Sequence, residues 1–278
     1  MKESTCIACG GSSIETAFTK GPFEIRRCRT CGLGRTADAE AFDAADYYSE
    51  AYFQGGHADS YGDYQGSEAI LRAEFRRTID YLLTQAPGRD RLLEFGCAYG
   101  FLLQEAAPHF ARVEGIELSA DAVRACQSKG LNVTAGVVDE ATLHGPYQAV
   151  LGLDVIEHVP APHETVRQLS THMERGGVLL MTTGDWASAM ARITGPHWRL
   201  MTPPQHLSFF TPRSMRAMLE AAGFRVTSLT HPVKHVPLSL IAYQLQRMAG
   251  MRPRNVAWLG GSFPVNLFDA MRVVAVKV

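Results

Sequence analysis

From Ser67 onward the apolar positions fall into a regular rhythm. Between Ser67 and Ala86, Leu71, Phe75, Ile79, Leu82 and Leu83 recur at helical spacing on one face, and Pro87-Gly88 stops the run. Short apolar runs then alternate with amphipathic stretches. The pattern predicts strands at 91–95, 112–117, 131–135, 148–153 and 178–182, and helices at 101–107, 120–129 and 161–173. Gly130 and the pair Gly176-Gly177 read as helix stops. Thr211-Pro212 reads as an N-cap followed by proline at the first helical position, with Gly223 as the matching stop. Two more strands follow at 225–230 and 272–278, and the amphipathic stretch 236–249 between them reads as an inserted helix. Strands alternating with helices over this length predict an α/β fold: a seven-stranded, mostly parallel, Rossmann-like sheet with helices on both faces.

The first 66 residues break that rhythm. Residues 1–36 carry two Cys-x-x-Cys-Gly pairs, Cys6/Cys9 and Cys28/Cys31, and few large apolar groups. Residues 37–66 form a polar segment punctuated by tyrosines, including Tyr61 and Tyr64, and read as a linker or lid. Two knuckles of this spacing predict four thiolates around one zinc ion in a small ribbon, with the glycines allowing the tight turns. Such a closed site is structural and supplies the folding energy that a small module lacks. The expected units are therefore a ribbon at 1–36, the Tyr-rich segment at 37–66 and the main domain at 67–278.

Charge and composition narrow the partners. A formal net charge of -1 argues against a broad basic nucleic-acid surface. The opening Met-Lys-Glu-Ser-Thr-Cys lacks a basic-then-apolar leader, and the apolar stretch 236–248 is too broken to span a bilayer, so a cytoplasmic protein without a membrane segment is expected. The expected partner is a small molecule rather than nucleic acid, with the chain as a monomer or homodimer.

The turn after the first predicted strand is the first candidate site. Glu94-Phe95-Gly96-Cys97-Ala98-Tyr99-Gly100 lies where open α/β sheets hold ligands. Its glycines let the backbone approach a ligand closely. The dinucleotide spacing Gly-x-Gly-x-x-Gly is absent, and Glu94 ends the strand instead. A carboxylate there disfavours a pyrophosphate and favours a cationic amino acid. Glu117 ends the second strand, where it can accept bonds from ribose hydroxyls.

These segments, with Gly115–Ser119, Asp154-Val155-Ile156-Glu157-His158-Val159, Gly176–Leu180 and Pro264–Asp269, resemble the class I S-adenosylmethionine-dependent methyltransferases from about Tyr61 to the end of the chain. The resemblance implies S-adenosylmethionine bound by Tyr64, Glu94, Gly96, Cys97, Ala98, Gly100, Glu117, Leu118, Val138 and Leu153. Ala98 departs from the commonest loop, which has glycine, and is expected to fit if its φ is not positive. Zinc modules before such a domain resemble both ribosomal-RNA guanine methyltransferases and sugar C-methyltransferases.

Methyl transfer from a sulfonium mainly needs alignment in a dry site, and a hydroxyl acceptor also needs its proton removed. His206, in the loop 198–210, is expected as the general base, with Glu157 and His158 beside it. Tyr61, Trp198 and Arg199 are expected to meet the substrate. Sugar C-methyltransferases carry Tyr, Glu and His in a comparable segment, but here Pro203 and Gln205 replace the first two. A competing resemblance, to metal-dependent RNA 2′-O-methyltransferases and quinone-ring O-methyltransferases, has Asp154, Glu157, His158 and His206 holding magnesium. The acceptor is expected to be a hydroxyl of a sugar, glycan precursor or natural-product intermediate. A sugar C-methyltransferase, an RNA methyltransferase using the ribbon to bind nucleic acid, and a non-catalytic binding protein on the same fold are the competing readings.

Overall fold

The computed structural model describes residues 5–42, 44–47, 68–139, 142–238 and 262–278, together with Ala242 and Gln246. Tyr61, Tyr64 and most of the Tyr-rich segment lie outside the described residues.

The main sheet has seven strands: β4 (Arg91–Phe95), β5 (Arg112–Glu117), β6 (Asn132–Ala135), β7 (Tyr147–Leu153), β8 (Met173–Gly184), β10 (Phe224–Thr230) and β13 (Ala270–Lys277). Their order is β10-β13-β8-β7-β4-β5-β6, and β13 alone runs against its neighbours. The helices are α1 (Ala44–Tyr47), α2 (Glu68–Gln85), α3 (Phe101–Ala106), α4 (Ala120–Ser128), α5 (Pro162–Thr171), α6 (Ala189–Thr194) and α7 (Pro212–Ala221).

Strand side chains alternate between two cores, as a pleated sheet requires. On β4, Leu92 joins one cluster with Ile79 and Leu82 of α2, Leu102 and Leu103 of α3, and Val123 of α4. Leu93 joins the other, with Val166 and Leu169 of α5 and Met215, Met218 and Leu219 of α7. That second cluster also takes in Cys6, Ala8, Cys28, Cys31 and Leu33. The cysteine knuckles therefore pack directly on the main core.

The ribbon is more than a pendant. Strands β1 (Ile14–Lys20), β2 (Phe23–Cys28) and β3 (Gly34–Thr36) form an antiparallel sheet whose fourth strand, β9 (Ser208–Phe209), comes from the main domain. The periodicity of residues 1–36 did not predict these strands, because Ile25 and Leu33 are the large apolar side chains buried there, and the other buried positions are cysteines, Ala8, Gly34, Arg35 and Thr36.

Two expectations are corrected. Gly176-Gly177 lies inside β8 and not at a helix stop, because α5 ends at Thr171. Pairing jumps from Tyr147↔Met173 to Ala149↔Val178, so residues 174–177 bulge out, and Gly176 makes the turn at φ +81. At the start of the expected helix 236–249, Val236 and Pro237 belong to β11 (Lys234–Pro237), paired with β12 (Ser262–Val265). Most of the rest of that stretch lies outside the described residues.

Candidate active site

The carboxyl end of β4 forms the candidate cofactor cradle. Gly96 sits at φ +70, and a Cβ there would lie 2.5 Å from Val155 Cγ2. Gly100 sits at φ +72, where a Cβ would meet Leu131 Cδ1 at 2.5 Å. Ala98 also takes a positive φ, 45°, against the sequence expectation. The loop's turn demands the left-handed region at this position, at a cost of roughly 1–2 kcal/mol for a residue with a Cβ.

Glu94 is buried, and its Oε2 makes no hydrogen bond among the described residues. Burial, then the nearby Cys126 and Glu117, push its carboxyl well above the ordinary range. A buried acceptor of this kind fits an ammonium ligand, which would return the group to its charged form. Glu117 Oε2 accepts from Ala98 N at 2.8 Å and Oε1 accepts from Ser119 N at 2.8 Å. Burial raises its pKa while the amides oppose that. Each oxygen retains a lone pair for a ribose hydroxyl. Leu118, Val138 and Leu153 are half-buried around this edge. Cys97 is buried, and the neighbouring Cys126, then burial, push its thiol pKa well up, which suits a packing role. Arg72 is occupied by Glu68 at 2.7 Å and Glu105 at 2.8 Å.

The candidate acceptor-side residues come from two distant loops. Glu157 and His158 lie on a 3-10 turn (Ile156–His158) after β7, and His206 precedes β9. Glu157, His158 and His206 each bring one ligand atom within 4.8 Å of the others, a set able to hold a metal ion. The two imidazoles meet edge to face with centroids 4.7 Å apart. His206 Nδ1 lies 2.7 Å from the Leu200 carbonyl, which fixes that nitrogen as the donor and leaves Nε2 with its lone pair. His158 Nδ1 lies 2.9 Å from the Gln205 carbonyl. Burial, then the neighbouring His158, push His206 down to about 3, and burial likewise lowers His158. Both rings are neutral at physiological pH. Asp154 sits at φ 52 and accepts from Thr182 Oγ1 at 2.9 Å, outside the converging set.

Trp198 and Arg199 are placed differently from each other. Trp198 is buried and donates through Nε1 to Asp269 Oδ2 at 3.0 Å, so it builds the wall rather than the opening. Arg199 is more exposed, and its Nε and Nη2 hold Asp269 at 2.8 and 2.9 Å. Sequence reasoning passed over Asp185, whose Oδ2 lies 2.8 Å from His231 Nε2 at the same sheet edge. It also passed over Arg35. No pattern in a single sequence marks either residue.

In the cysteine cluster, Cys6 Sγ lies 3.5 Å from Cys31 Sγ and Cys9 Sγ lies 3.7 Å from Cys28 Sγ, with all four within 4.8 Å. Four sulfurs about 2.3 Å from a tetrahedral zinc stand about 3.8 Å apart, so the cluster fits such an ion.

A family model described as a methyltransferase domain matches residues 67–229. The chain belongs to that family. It is an S-adenosylmethionine-dependent methyltransferase of class I. A ubiquinone biosynthesis O-methyltransferase of Aeromonas salmonicida (strain A449) is 27% identical over 177 residues, 58% of this chain and 74% of the relative. Its counterpart in Xanthomonas axonopodis pv. citri (strain 306) is 24% identical over 188 residues, 62% of this chain and 79% of that one. Among solved structures, magnesium protoporphyrin IX methyltransferase from Synechocystis PCC 6803 with bound SAH shares the fold. Its TM-score is 0.55 at 17% identity, covering 84% of this chain and 98% of that one. An S-adenosylmethionine-dependent methyltransferase from Mesorhizobium loti gives 0.51 at 13% identity, covering 72% and 96%. Among the described residues, no helix is long and apolar enough to cross a membrane.

Proposed function

We propose that this methyltransferase transfers its methyl group to a hydroxyl oxygen of a small polar metabolite, such as a sugar, glycan precursor or natural-product intermediate, in the cytoplasm. The observation that carries the acceptor side is the convergence of Glu157, His158 and His206. The relatives named as O-methyltransferases support oxygen as the methylated atom.

On the donor side, Glu94 accepts from the cofactor's ammonium and Glu117 from its ribose, while Gly96 and Gly100 let the backbone close on it. The half-buried Leu153 faces the methionyl end. Alignment then does most of the work, because the sulfonium is already a good leaving group.

His206 suits the role of ligand better than that of free base. A group with a pKa near 3 holds a proton weakly at neutral pH, whereas a general base works best near it. A neutral imidazole whose other nitrogen donates to a backbone carbonyl is the usual form of a metal-bound histidine. Glu157, His158 and His206 would thus hold magnesium or a similar divalent ion, which when bound lowers the pKa of a hydroxyl. Zinc in the cysteine cluster is structural in the same reading, since four thiolates leave no position open.

The test is release of demethylated cofactor by zinc-loaded protein, offered hydroxylated sugars, nucleotide sugars and phenols with and without added magnesium. O-methyl products that require the added ion are expected. Turnover unaffected by a magnesium-selective chelator would remove the ion from the site, and methyl found on carbon or nitrogen would overturn the hydroxyl reading.

A further inference from the structure

The two loops that carry the candidate acceptor site are held by one short strand of the ribbon. β3 spans only Gly34–Thr36, and all three residues are buried. Arg35 is 5% exposed. Its Nη1 donates to Ser208 Oγ at 3.2 Å, and its Nη2 donates to the Pro160 carbonyl at 3.1 Å. Ser208 lies two residues after His206, and Pro160 lies two residues after His158. One guanidinium therefore spans both loops at the same offset from their histidines.

Thr36 reinforces the arrangement. Its amide donates to the Leu207 carbonyl at 2.9 Å, and its hydroxyl donates to the His206 carbonyl at 3.1 Å. Leu207 N in turn donates to the Glu157 carbonyl at 2.8 Å, tying the two loops to each other. Upstream, the strand leads back to the cysteine cluster, where Thr211 Oγ1 donates to the Cys31 carbonyl at 2.8 Å. Gly34 allows this close approach, because a Cβ there would lie 2.3 Å from the Trp186 ring.

Burying an arginine is costly, and an apolar side chain of similar length would fill the space without that cost. What Arg35 adds is direction. It offers several fixed donors in one plane, and the acceptors it meets belong to two segments far apart in sequence, otherwise joined by the Leu207 amide on the Glu157 carbonyl and by His158 on the Gln205 carbonyl.

We propose that Arg35, supported by Thr36, is a positioning residue that sets His158 and His206 relative to each other, so that the cysteine ribbon is a working part of the acceptor site. This inference rests on the acceptor-side reading of Glu157, His158 and His206. Its test keeps the two separable, because it reads the histidines themselves as well as what they bind.

The variants are Arg35→Met, which keeps an apolar stem, Arg35→Lys, and Thr36→Val as an independent cut. The first readout is solvent exchange of the imidazole Nδ1–H protons of His158 and His206 by NMR. The expected result in Arg35→Met is exchange at least ~10-fold faster at both rings, with a smaller change in Arg35→Lys, while near-native circular dichroism and S-adenosylmethionine affinity persist. Thr36→Val is expected to speed exchange at His206 more than at His158. The second readout is Mn²⁺ binding followed by water-proton relaxation, where a loss of ~10–100-fold in affinity is expected. Unchanged exchange at both rings in Arg35→Met would overturn the positioning role, whatever Mn²⁺ does. Faster exchange in a protein whose parent binds no Mn²⁺ would uphold the positioning role and remove the metal reading alone.

Discussion

The proposed donor cradle and the proposed acceptor wall are built by different rules. The donor cradle is local: Glu94 near the end of β4 and the turn Gly96–Gly100 before α3 are consecutive, and their partner Glu117 ends the adjacent strand. The acceptor wall draws on residues 31–36, 154–160 and 198–211, and only tertiary contacts bring them together. In the first, a short stretch of chain fixes the geometry. In the second, the ribbon fixes it from outside. It follows that either side can be damaged while the other survives.

The severest test of that separation is loss of the zinc proposed for the cysteine cluster, by Cys28→Ser or by chelation. Structural zinc contributes on the order of 10 kcal/mol to small sites, so the ribbon should unfold. Methyl transfer should fall below detection while calorimetry finds S-adenosylmethionine affinity within ~10-fold of the parent. Leu92 of β4 and Val113 of β5 also pack into the core on the other face of the sheet, which takes in no ribbon side chain among the described residues. Parallel loss of cofactor binding would show one cooperative unit instead of two sides.

The reciprocal cut is Glu94→Gln. Removing one partner of a buried charged pair costs about 2–5 kcal/mol of binding, so calorimetry should find cofactor affinity lower by ~10²-fold or more. The same change should raise the melting temperature of the cofactor-free protein at neutral pH, because it removes a buried carboxyl whose raised pKa makes the folded state hold a proton that the unfolded chain releases. Tighter cofactor binding or a lower melting temperature would contradict the role of Glu94.

Acid acts on the acceptor wall. Unfolded His206 takes up a proton below its ordinary pKa of 6.5, whereas the buried ring resists until about 3. The unfolded state therefore binds more protons in this window, and stability falls as pH drops through it, by up to about 1.4 kcal/mol per unit. Urea titrations between pH 6.5 and 3 should show a flatter dependence in His206→Phe than in the parent. Identical slopes would mean that His206 is not held neutral.

Smallest is the effect of Ala98→Gly in the cradle. Glycine relieves the left-handed strain but costs unfolded-chain entropy, leaving a net gain of at most ~1 kcal/mol by denaturant titration. Destabilisation would indicate that Ala98 is unstrained at its positive φ.

This contrast also explains what could be read from the sequence. The main sheet was legible because each strand and helix buries one face, and Leu92/Leu93 show how the alternation encodes two cores. The cradle was legible because its chemistry is consecutive. The ribbon strands were hidden because their inward positions are few, and β9 is two residues long with its partner far away in sequence. Arg35 carried no signal at all, since a buried arginine looks like any surface arginine until its acceptors are in place. For Trp198 and Arg199, side-chain identity was visible but not their engagement by Asp269.

The most direct measurement of the central claim is a Mn²⁺ titration by water-proton relaxation of zinc-loaded protein, the parent against His206→Ala. The account predicts one Mn²⁺ bound per parent chain beyond the ribbon zinc and none in the variant, with both binding S-adenosylmethionine alike. No binding by the parent, or equal binding by the two, would contradict it.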